Sequence, residues 1–155
     1  MKNLTMLTDF YQLTMMQGYF RQGYHNKMAV FDVFFRELPP NSGYAIAAGL
    51  EQVVEYLENL SFSEDDIAYL RSLEVFDPEF LEELRNFRFT GDIDAIPEGT
   101  VVFPQEPLLR VKARLLEAQF IETAVLNLIN FQTLIASKAA RVVEAAGGGT
   151  VMEFG

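Results

Sequence analysis

Few residues in this sequence have the types and spacing of a catalytic or metal site. The 155 residues include no cysteine and a single histidine, His25. Thiolate chemistry, cysteine-ligated metals and the usual histidine and cysteine metal spacings are therefore excluded. His25 belongs to the polar connector 24–27, which favours a loop role, and no convincing Ser/His/Asp set can be drawn. Asp92 and Asp94 alternate along a probable strand, a pattern typical of a solvated face.

The glycines do not form a phosphate-binding loop. Neither a P-loop (Gly-x-x-x-x-Gly-Lys-Ser/Thr) nor a Gly-x-Gly-x-x-Gly pattern occurs. The glycines at residues 147–149 follow a predicted helix and precede a predicted strand, whereas a phosphate-binding loop opens a helix. Motifs alone therefore assign no chemistry to this chain.

The net charge of −10 is concentrated in one part of the chain. Residues 51–98 hold 14 acidic and 3 basic side chains, whereas residues 1–50 hold 3 acidic and 4 basic ones. The acidic stretch lacks the basic footprint that nucleic acids require, so no nucleic-acid partner is expected. The near-neutral ends of the chain remain available to a phosphorylated ligand.

The hydrophobic pattern predicts a mixed α and β fold. Residues 4–22 form the first predicted helix, with Thr8 as its N-cap. Ser63 with Asp66 has the pattern of a capping box, which predicts the start of a later helix. Strands are predicted where apolar residues alternate, at residues 28–36, 44–48, 89–96, 100–103 and 108–113.

The longest helical stretch, residues 115–146, is predicted to lie at the centre of the domain, as one bent helix or two abutting ones. Its apolar residues surround the axis, which is typical of a helix enclosed by protein or lipid. Asn127, Asn130 and Gln132 interrupt the run well below the ~20 apolar residues that a bilayer span needs. We interpret these amides as tethers for neighbouring backbone. No membrane contact and no signal peptide are expected, so a cytoplasmic location is predicted.

The glycines at 147–149 separate this helix from an apolar strand predicted at the end of the sequence. We therefore divide the chain into an α+β domain, residues 1–147, and a terminal strand within residues 150–155. An unpaired core strand leaves its backbone groups without partners. We expect residues 151–154 to be the first strand of a further domain that is absent here.

Seven segments carry a family resemblance when they are taken in order. They are residues 8–15 (TDFYQLTM), 31–36 (FDVFFR), 38–41 (LPPN), 48–52 (AGLEQ), 97–104 (PEGTVVFP), 106–109 (EPLL) and 135–141 (IASKAAR). Together they resemble the N-terminal third of nicotinate phosphoribosyltransferases. Each segment alone is weak, but the ordered set covers nearly the whole chain.

The resemblance implies an enzyme of NAD salvage. Such enzymes join nicotinate to phosphoribosyl pyrophosphate, form nicotinate mononucleotide and pyrophosphate, couple the reaction to ATP hydrolysis and use Mg²⁺. The implied fold is α+β, the N-terminal α/β sandwich-type domain of a type II phosphoribosyltransferase, ending at the first strand of a missing α/β barrel. A homodimer with sites shared across its interface is implied, and the chain alone is expected to be inactive.

The resemblance also implies how the nicotinate ring is held. A flat, electron-poor pyridine is held well between two aromatic faces. Tyr11 matches the position of one stacking ring, and Asp9 beside it could orient that ring or a donor. Phe154 matches the position of the second ring in the related nicotinamide enzymes.

Phosphates need arginine or lysine donors, and three basic residues are candidates. Arg36 matches a position that reaches the phosphates from the partner subunit. Lys138 and Arg141 are possible phosphate contacts on the long helix. No catalytic or metal-binding residue is assigned within this chain.

Two other functions and several structural roles compete with this interpretation. The related nicotinamide-specific transferase and a non-catalytic binding or dimerisation module are the alternatives. Tyr11 could be a surface tyrosine of an amphipathic helix, and Asp9 an acid at its positive end. Phe154 could be core, Arg36 part of an ion pair, and Lys138 and Arg141 solvated residues.

Overall fold

A computed structural model describes residues 3–154, which combine helices and strands as predicted. The helices are α1 (Phe10–Arg21), α2 (Leu50–Glu58), α3 (Glu64–Ser72), α4 (Pro78–Arg85), α5 (Leu115–Phe120) and α6 (Glu122–Ala145). The strands are β1 (Met28–Val33), β2 (Ala45–Ile46), β3 (Asp92–Ala95), β4 (Val101–Val102) and β5 (Leu109–Arg114). Most of the strands are shorter than predicted, and β1 ends before Arg36.

β5 is the centre of a three-stranded antiparallel sheet, with β1 on one side and β3 on the other. Its residues alternate between buried and exposed, as the sequence pattern predicts. On the exposed face, Arg110 donates hydrogen bonds of 2.7 and 2.9 Å to Asp32 of β1, and these lower the pKa of that carboxyl. Asp92 and Asp94 of β3 are exposed, as expected of a solvated face. β2 and β4 form a separate antiparallel pair.

The core is rich in phenylalanine. Phe62, Phe87 and Phe120 form an aromatic cluster with ring centroids 5.2–5.8 Å apart, and all three are buried. Burial of each such side chain stabilises the fold by about 1.5–3 kcal/mol. The cluster brings α5 against the segments that flank α3 and α4.

The start of α1 differs from the prediction. Asp9, and not Thr8, occupies the N-cap position, and its side chain makes no capping hydrogen bond. Leu13 and Met16, on the apolar face of α1, are buried. Gln12 is completely buried although its side chain is polar.

The start of α3 is the capping box that the sequence predicts. The Ser63 hydroxyl accepts a hydrogen bond of 3.1 Å from the Asp66 backbone N–H. The Asp66 carboxylate accepts one of 2.8 Å from the Ser63 backbone N–H in return. Two unpaired donors of the helix start are thereby satisfied.

The long helical stretch consists of two abutting helices, α5 and α6, with Ile121 between them. α6 buries a single stripe, formed by Val125, Ile129, Thr133 and Ser137 at spacings of four residues. On its other side the large apolar residues are exposed, namely Leu126, Phe131, Leu134, Ile135, Val142 and Val143. Residues 3–154 cover one face of α6, and enclosure of its other faces stays a prediction. None of the described helices is both long and apolar enough to cross a membrane.

Glycines end α6, as predicted. Gly147 and Gly148 adopt φ values of 55° and 91°, the left-handed backbone that glycine readily provides at a helix end. Residues 150–154 are exposed and have no regular secondary structure. Their pairing as a first barrel strand, and the division at residues 147–150, stay predictions. Gly155 lies outside the described residues.

Candidate functional site

The phenol of Tyr11 lies on the outer side of the first turn of α1. Leu13 and Met16 anchor the helix in the core. Because successive residues in an α-helix are about 100° apart, Tyr11 lies on nearly the opposite side from Leu13. Its side chain is 47% exposed, so one ring face is available to a ligand.

A network of polar side chains lies beside this phenol. The amide of Gln12 donates hydrogen bonds of 2.9 Å to the Tyr11 hydroxyl oxygen and 2.8 Å to Glu122 Oε2. The amide of Gln119 donates to Gln12 Oε1 and, at 3.2 Å, to the same Glu122 oxygen. The Tyr19 hydroxyl also donates to Gln119 at 3.3 Å. Gln12 and Gln119 are both buried, so their amides depend on one another, on Glu122 and on the two tyrosine hydroxyls for partners.

Asp9 forms hydrogen bonds with Thr123, the residue of α6 that follows Glu122. Its backbone N–H donates to the Thr123 hydroxyl at 3.3 Å, and that hydroxyl donates to the Asp9 carboxylate at 3.1 Å. Thr123 and Glu122 belong to the first turn of α6. The start of α1 is therefore tied to one turn of α6 through two adjacent contacts.

This acidic surrounding changes the ionisation of Tyr11. The pKa of its phenol is raised above the ordinary value, first by withdrawal of the phenol from water. The negative charges of Glu122 and Asp9 raise it further. The phenol is therefore uncharged at neutral pH, since ionised tyrosine forms only above its pKa.

A second feature is a groove of about 760 Å³ between α6 and the segment that follows β1. Its lining is mainly apolar and includes the basic residues Lys138 and Arg141. Arg141 donates a hydrogen bond of 2.8 Å to the Tyr44 carbonyl, and its guanidinium lies 5.6 Å from the centre of the Tyr44 ring. The Arg141 side chain therefore braces the chain before β2, whereas Lys138 is exposed at the groove.

Arg36 lies in the loop after β1 and is exposed. Gln105 holds this loop, because its backbone N–H donates to the Phe35 carbonyl at 2.9 Å and its amide to the Arg36 carbonyl at 3.1 Å. Within residues 3–154 the Arg36 guanidinium has no ion-pair partner. Its charge is available to an anionic ligand.

A family model described as the nicotinate phosphoribosyltransferase (NAPRTase) N-terminal domain matches residues 6–130. The chain belongs to the nicotinate phosphoribosyltransferase family. That family is the one that the seven ordered segments predict.

Named relatives of this family align along nearly the whole chain. Nicotinate phosphoribosyltransferase pncB2 of Mycobacterium tuberculosis is 52% identical over 97% of this chain, and the Bacillus subtilis enzyme is 48% identical over 99%. The crystal structure of human nicotinic acid phosphoribosyltransferase superimposes with a TM-score of 0.88 at 38% identity, over 96% of this chain. The α+β fold class is confirmed by these comparisons.

The chain spans about a third of the length of the family members it matches. It covers 32% of the M. tuberculosis protein, 31% of the B. subtilis protein and 30% of the human chain. A nicotinate-nucleotide pyrophosphorylase of Pyrococcus furiosus, at 23% identity and a TM-score of 0.70, shares the fold.

The predicted site residues of this family member lie in separate places. Tyr11 and Asp9 lie together beside the first turn of α6. Lys138 and Arg141 line the groove, and Arg36 lies on the loop held by residue 105. Phe154 is 89% exposed and makes no ring contact with the other described residues. Within residues 3–154 they do not form one closed pocket, and their substrate contacts stay predictions.

Sequence reasoning missed the three side chains that connect Tyr11 to α6. Gln12, Gln119 and Glu122 lie in three helices that are otherwise rich in apolar residues. Buried amides in such surroundings require partners. That requirement was the one signal that the sequence offered for this network.

Proposed function

We propose that this chain is the N-terminal part of an enzyme that transfers a phosphoribosyl group to nicotinate. The observation that carries the proposal is the pair of relatives named nicotinate phosphoribosyltransferase, 52% and 48% identical over 97% and 99% of the chain. In the proposed reaction, the pyridine nitrogen of nicotinate bonds to the ribose carbon as the bond to pyrophosphate breaks. The products are nicotinate mononucleotide and pyrophosphate, and the reaction belongs to NAD salvage.

The proposed contribution of Tyr11 is one wall of the nicotinate site. Its half-exposed ring offers a flat face, and offset stacking on an electron-poor pyridine is favourable. The phenol is neutral at physiological pH, as tyrosine ordinarily is, so it does not repel the carboxylate of nicotinate. Asp9, held by Thr123, is proposed to fix the start of α1 beside the ring.

The proposed phosphate contacts are Arg36 and Lys138. Both are exposed cations, and a guanidinium can donate two hydrogen bonds to one phosphate. Arg141 is a weaker candidate than the sequence alone indicates, because Tyr44 already occupies its guanidinium.

The proposed site needs residues from outside the described part of the chain. Phe154 is proposed as the second ring, which requires that another part of the enzyme bring it opposite Tyr11. A homodimer with its sites at the interface would bring Arg36 to the phosphates bound by the partner. A cytoplasmic location is part of the same proposal.

We propose that the full-length enzyme uses ATP and Mg²⁺, and we assign neither to residues 3–154. Residues 3–154 contain no group of three or more His, Cys, Asp or Glu side chains that could hold a metal ion. The described residues therefore do not fit a metal site of their own. The proposed reaction therefore uses no metal ion bound by residues 3–154.

A turnover assay with the full-length enzyme tests this function. We expect nicotinate, phosphoribosyl pyrophosphate, ATP and water to give nicotinate mononucleotide, pyrophosphate, ADP and phosphate. Nicotinamide, supplied in place of nicotinate, is expected to react far more slowly. Residues 1–155 alone are expected to give no turnover. Faster reaction with nicotinamide, or turnover by residues 1–155 alone, would contradict the proposal.

A further inference from the structure

Glu122 has no role in the proposed reaction, yet it organises the polar contacts around Tyr11. One of its oxygens accepts hydrogen bonds from both Gln12 and Gln119, at 2.8 and 3.2 Å. Gln12 in turn bonds to the Tyr11 hydroxyl at 2.9 Å. The carboxylate, two buried amides and the phenol therefore form one connected set.

We propose that Glu122 is a positioning residue that fixes the Tyr11 ring as a wall of the nicotinate site. The inference rests on the proposed function, because it assigns the group that prepares Tyr11 for the substrate.

The first argument is conformational. A half-exposed tyrosine on a helix can exchange between staggered rotamers, and binding that stops this exchange loses entropy. Here the hydroxyl of Tyr11 is fixed from inside by Gln12, which is completely buried. Gln12 cannot turn away without breaking its bonds to Glu122 and Gln119. The ring is therefore held in place before substrate binds.

The second argument concerns charge. Two carboxylates face the phenol, Asp9 from the start of α1 and Glu122 from α6, and the neighbouring Gln119 of α5 is uncharged. Negative charge behind the phenol makes its ring a better donor to an electron-poor pyridine. It also disfavours a pose in which the nicotinate carboxylate points toward α6. Glu122 would therefore determine the orientation of the substrate as well as the position of the ring.

The third argument is that two apolar residues could hold α1 against α5 as well as this polar network does. Aliphatic residues of similar volume would fill the space between α1 and α5 without any unpaired polar group. One branch of the network ends at the exposed phenol of Tyr11, while the other ends at Tyr19, whose hydroxyl donates to Gln119 at 3.3 Å. Its geometry points to a function at that surface.

The test uses full-length enzyme labelled with 3-fluorotyrosine and followed by ¹⁹F NMR. Fluorine lowers the phenol pKa, which brings the titration into a milder pH range, and a Tyr11→Phe variant identifies the Tyr11 signal. The test variant is Glu122→Gln. The matched control is Glu144→Gln, which removes a carboxylate from an exposed residue of the same helix.

In Glu122→Gln we expect the Tyr11 signal to move and its pKa to fall, because a neighbouring negative charge is lost. The nicotinate KM should rise about three- to tenfold, as for the loss of a hydrogen-bonded contact, with kcat much less affected. Glu144→Gln should leave the Tyr11 signal, its pKa and both kinetic constants unchanged. A melting curve checks that each variant is folded. Should Glu122→Gln fail to fold, Glu122→Asp keeps the charge, withdraws the carboxylate by one methylene, and should still raise KM.

An unmoved Tyr11 signal and an unchanged pKa in Glu122→Gln would overturn the inference. A moved signal with an unchanged nicotinate KM would overturn the role of Glu122 in substrate binding. In that case a Tyr11→Ala variant locates the failure. If its KM is raised, Tyr11 contacts nicotinate without help from Glu122; if not, the stacking role in the proposed function is wrong.

Discussion

Tyr11 combines a free ring face with a tethered hydroxyl. Its hydroxyl accepts a hydrogen bond from Gln12, while nearly half of the side chain remains exposed. Among residues 3–154, the exposed Tyr24 and Tyr69 show no hydrogen bond from a side chain to their hydroxyl groups; the ammonium group of Lys27 lies 3.9 Å from the centre of the Tyr24 ring. At the residue scale, a ring that is both accessible and fixed is the feature that favours substrate contact.

Tyr11→Ala is predicted to raise the nicotinate KM of the full-length enzyme about tenfold, which corresponds to about 1.4 kcal/mol. The physical reason is the loss of the stacking face. Tyr11→Phe keeps that face but loses the tether, so its KM should rise about threefold, in the range expected for Glu122→Gln and less than in Tyr11→Ala. Steady-state kinetics with varied nicotinate provide the measurement. Tyr69→Ala, which removes an exposed tyrosine from α3, is the control and should change nothing. An unchanged KM in Tyr11→Ala would remove the stacking assignment.

At the scale of elements, the join between β2 and α2 sets how closely α6 can approach. Gly49 precedes α2 with φ of 104°, and a Cβ at this residue would lie 2.8 Å from the Leu128 carbonyl oxygen of α6. The Glu98 carboxylate accepts hydrogen bonds from the backbone N–H groups of Gly49 and Leu50, at 2.6 and 2.8 Å. The absence of a side chain at Gly49 thus allows α2 and α6 to pack backbone to backbone.

Gly49→Ala is predicted to lower the free energy of unfolding by about 2–4 kcal/mol, through left-handed backbone strain and the contact with Leu128. Gly18→Ala is the matched control, since Gly18 lies inside α1 and a Cβ there meets nothing within 4 Å. That change should stabilise the protein by about 0.5–1 kcal/mol, because alanine is the better helix former. Urea unfolding measures both. Equal effects of the two substitutions would contradict the packing described at Gly49.

The elements themselves were largely predictable, but the faces of the helices were not. Local signals such as the Ser63 capping box and the alternation of β5 determine structure over a few residues, and both are present in the structure. The burial of Gln12 depends on Glu122, which is 110 residues away in sequence. A stripe of apolar residues cannot reveal a partner at that distance, so the polar network beside Tyr11 was missed. The same limit applies to α6, whose sequence does not show which face the rest of the chain covers.

At the scale of the whole molecule, the outer face of α6 is an apolar surface that the fold of residues 3–154 does not explain. Its exposed apolar residues include Phe131 and Ile135, and they continue along the helix as far as Val143. Large contiguous apolar surfaces on soluble proteins usually mark contacts with other protein. The chain also spans only about 30% of the human family member that it matches. We therefore expect the remainder of the full-length enzyme to cover this face of α6.

Phe131→Ser in the full-length enzyme tests this expectation. Phe131 is 62% exposed within residues 3–154, so its replacement would be nearly neutral if nothing else covered it. If the remainder of the enzyme buries this ring, its loss should destabilise the protein by about 2–4 kcal/mol, as for other buried aromatic residues. Tyr69→Ser, at an exposed aromatic residue of α3, is the control and should stay within about 0.5 kcal/mol of the parent. Chemical denaturation followed by fluorescence or circular dichroism distinguishes the two cases. Equal, small effects of both substitutions would show that α6 keeps its apolar face in solvent, and the expected domain contact would then have to lie elsewhere.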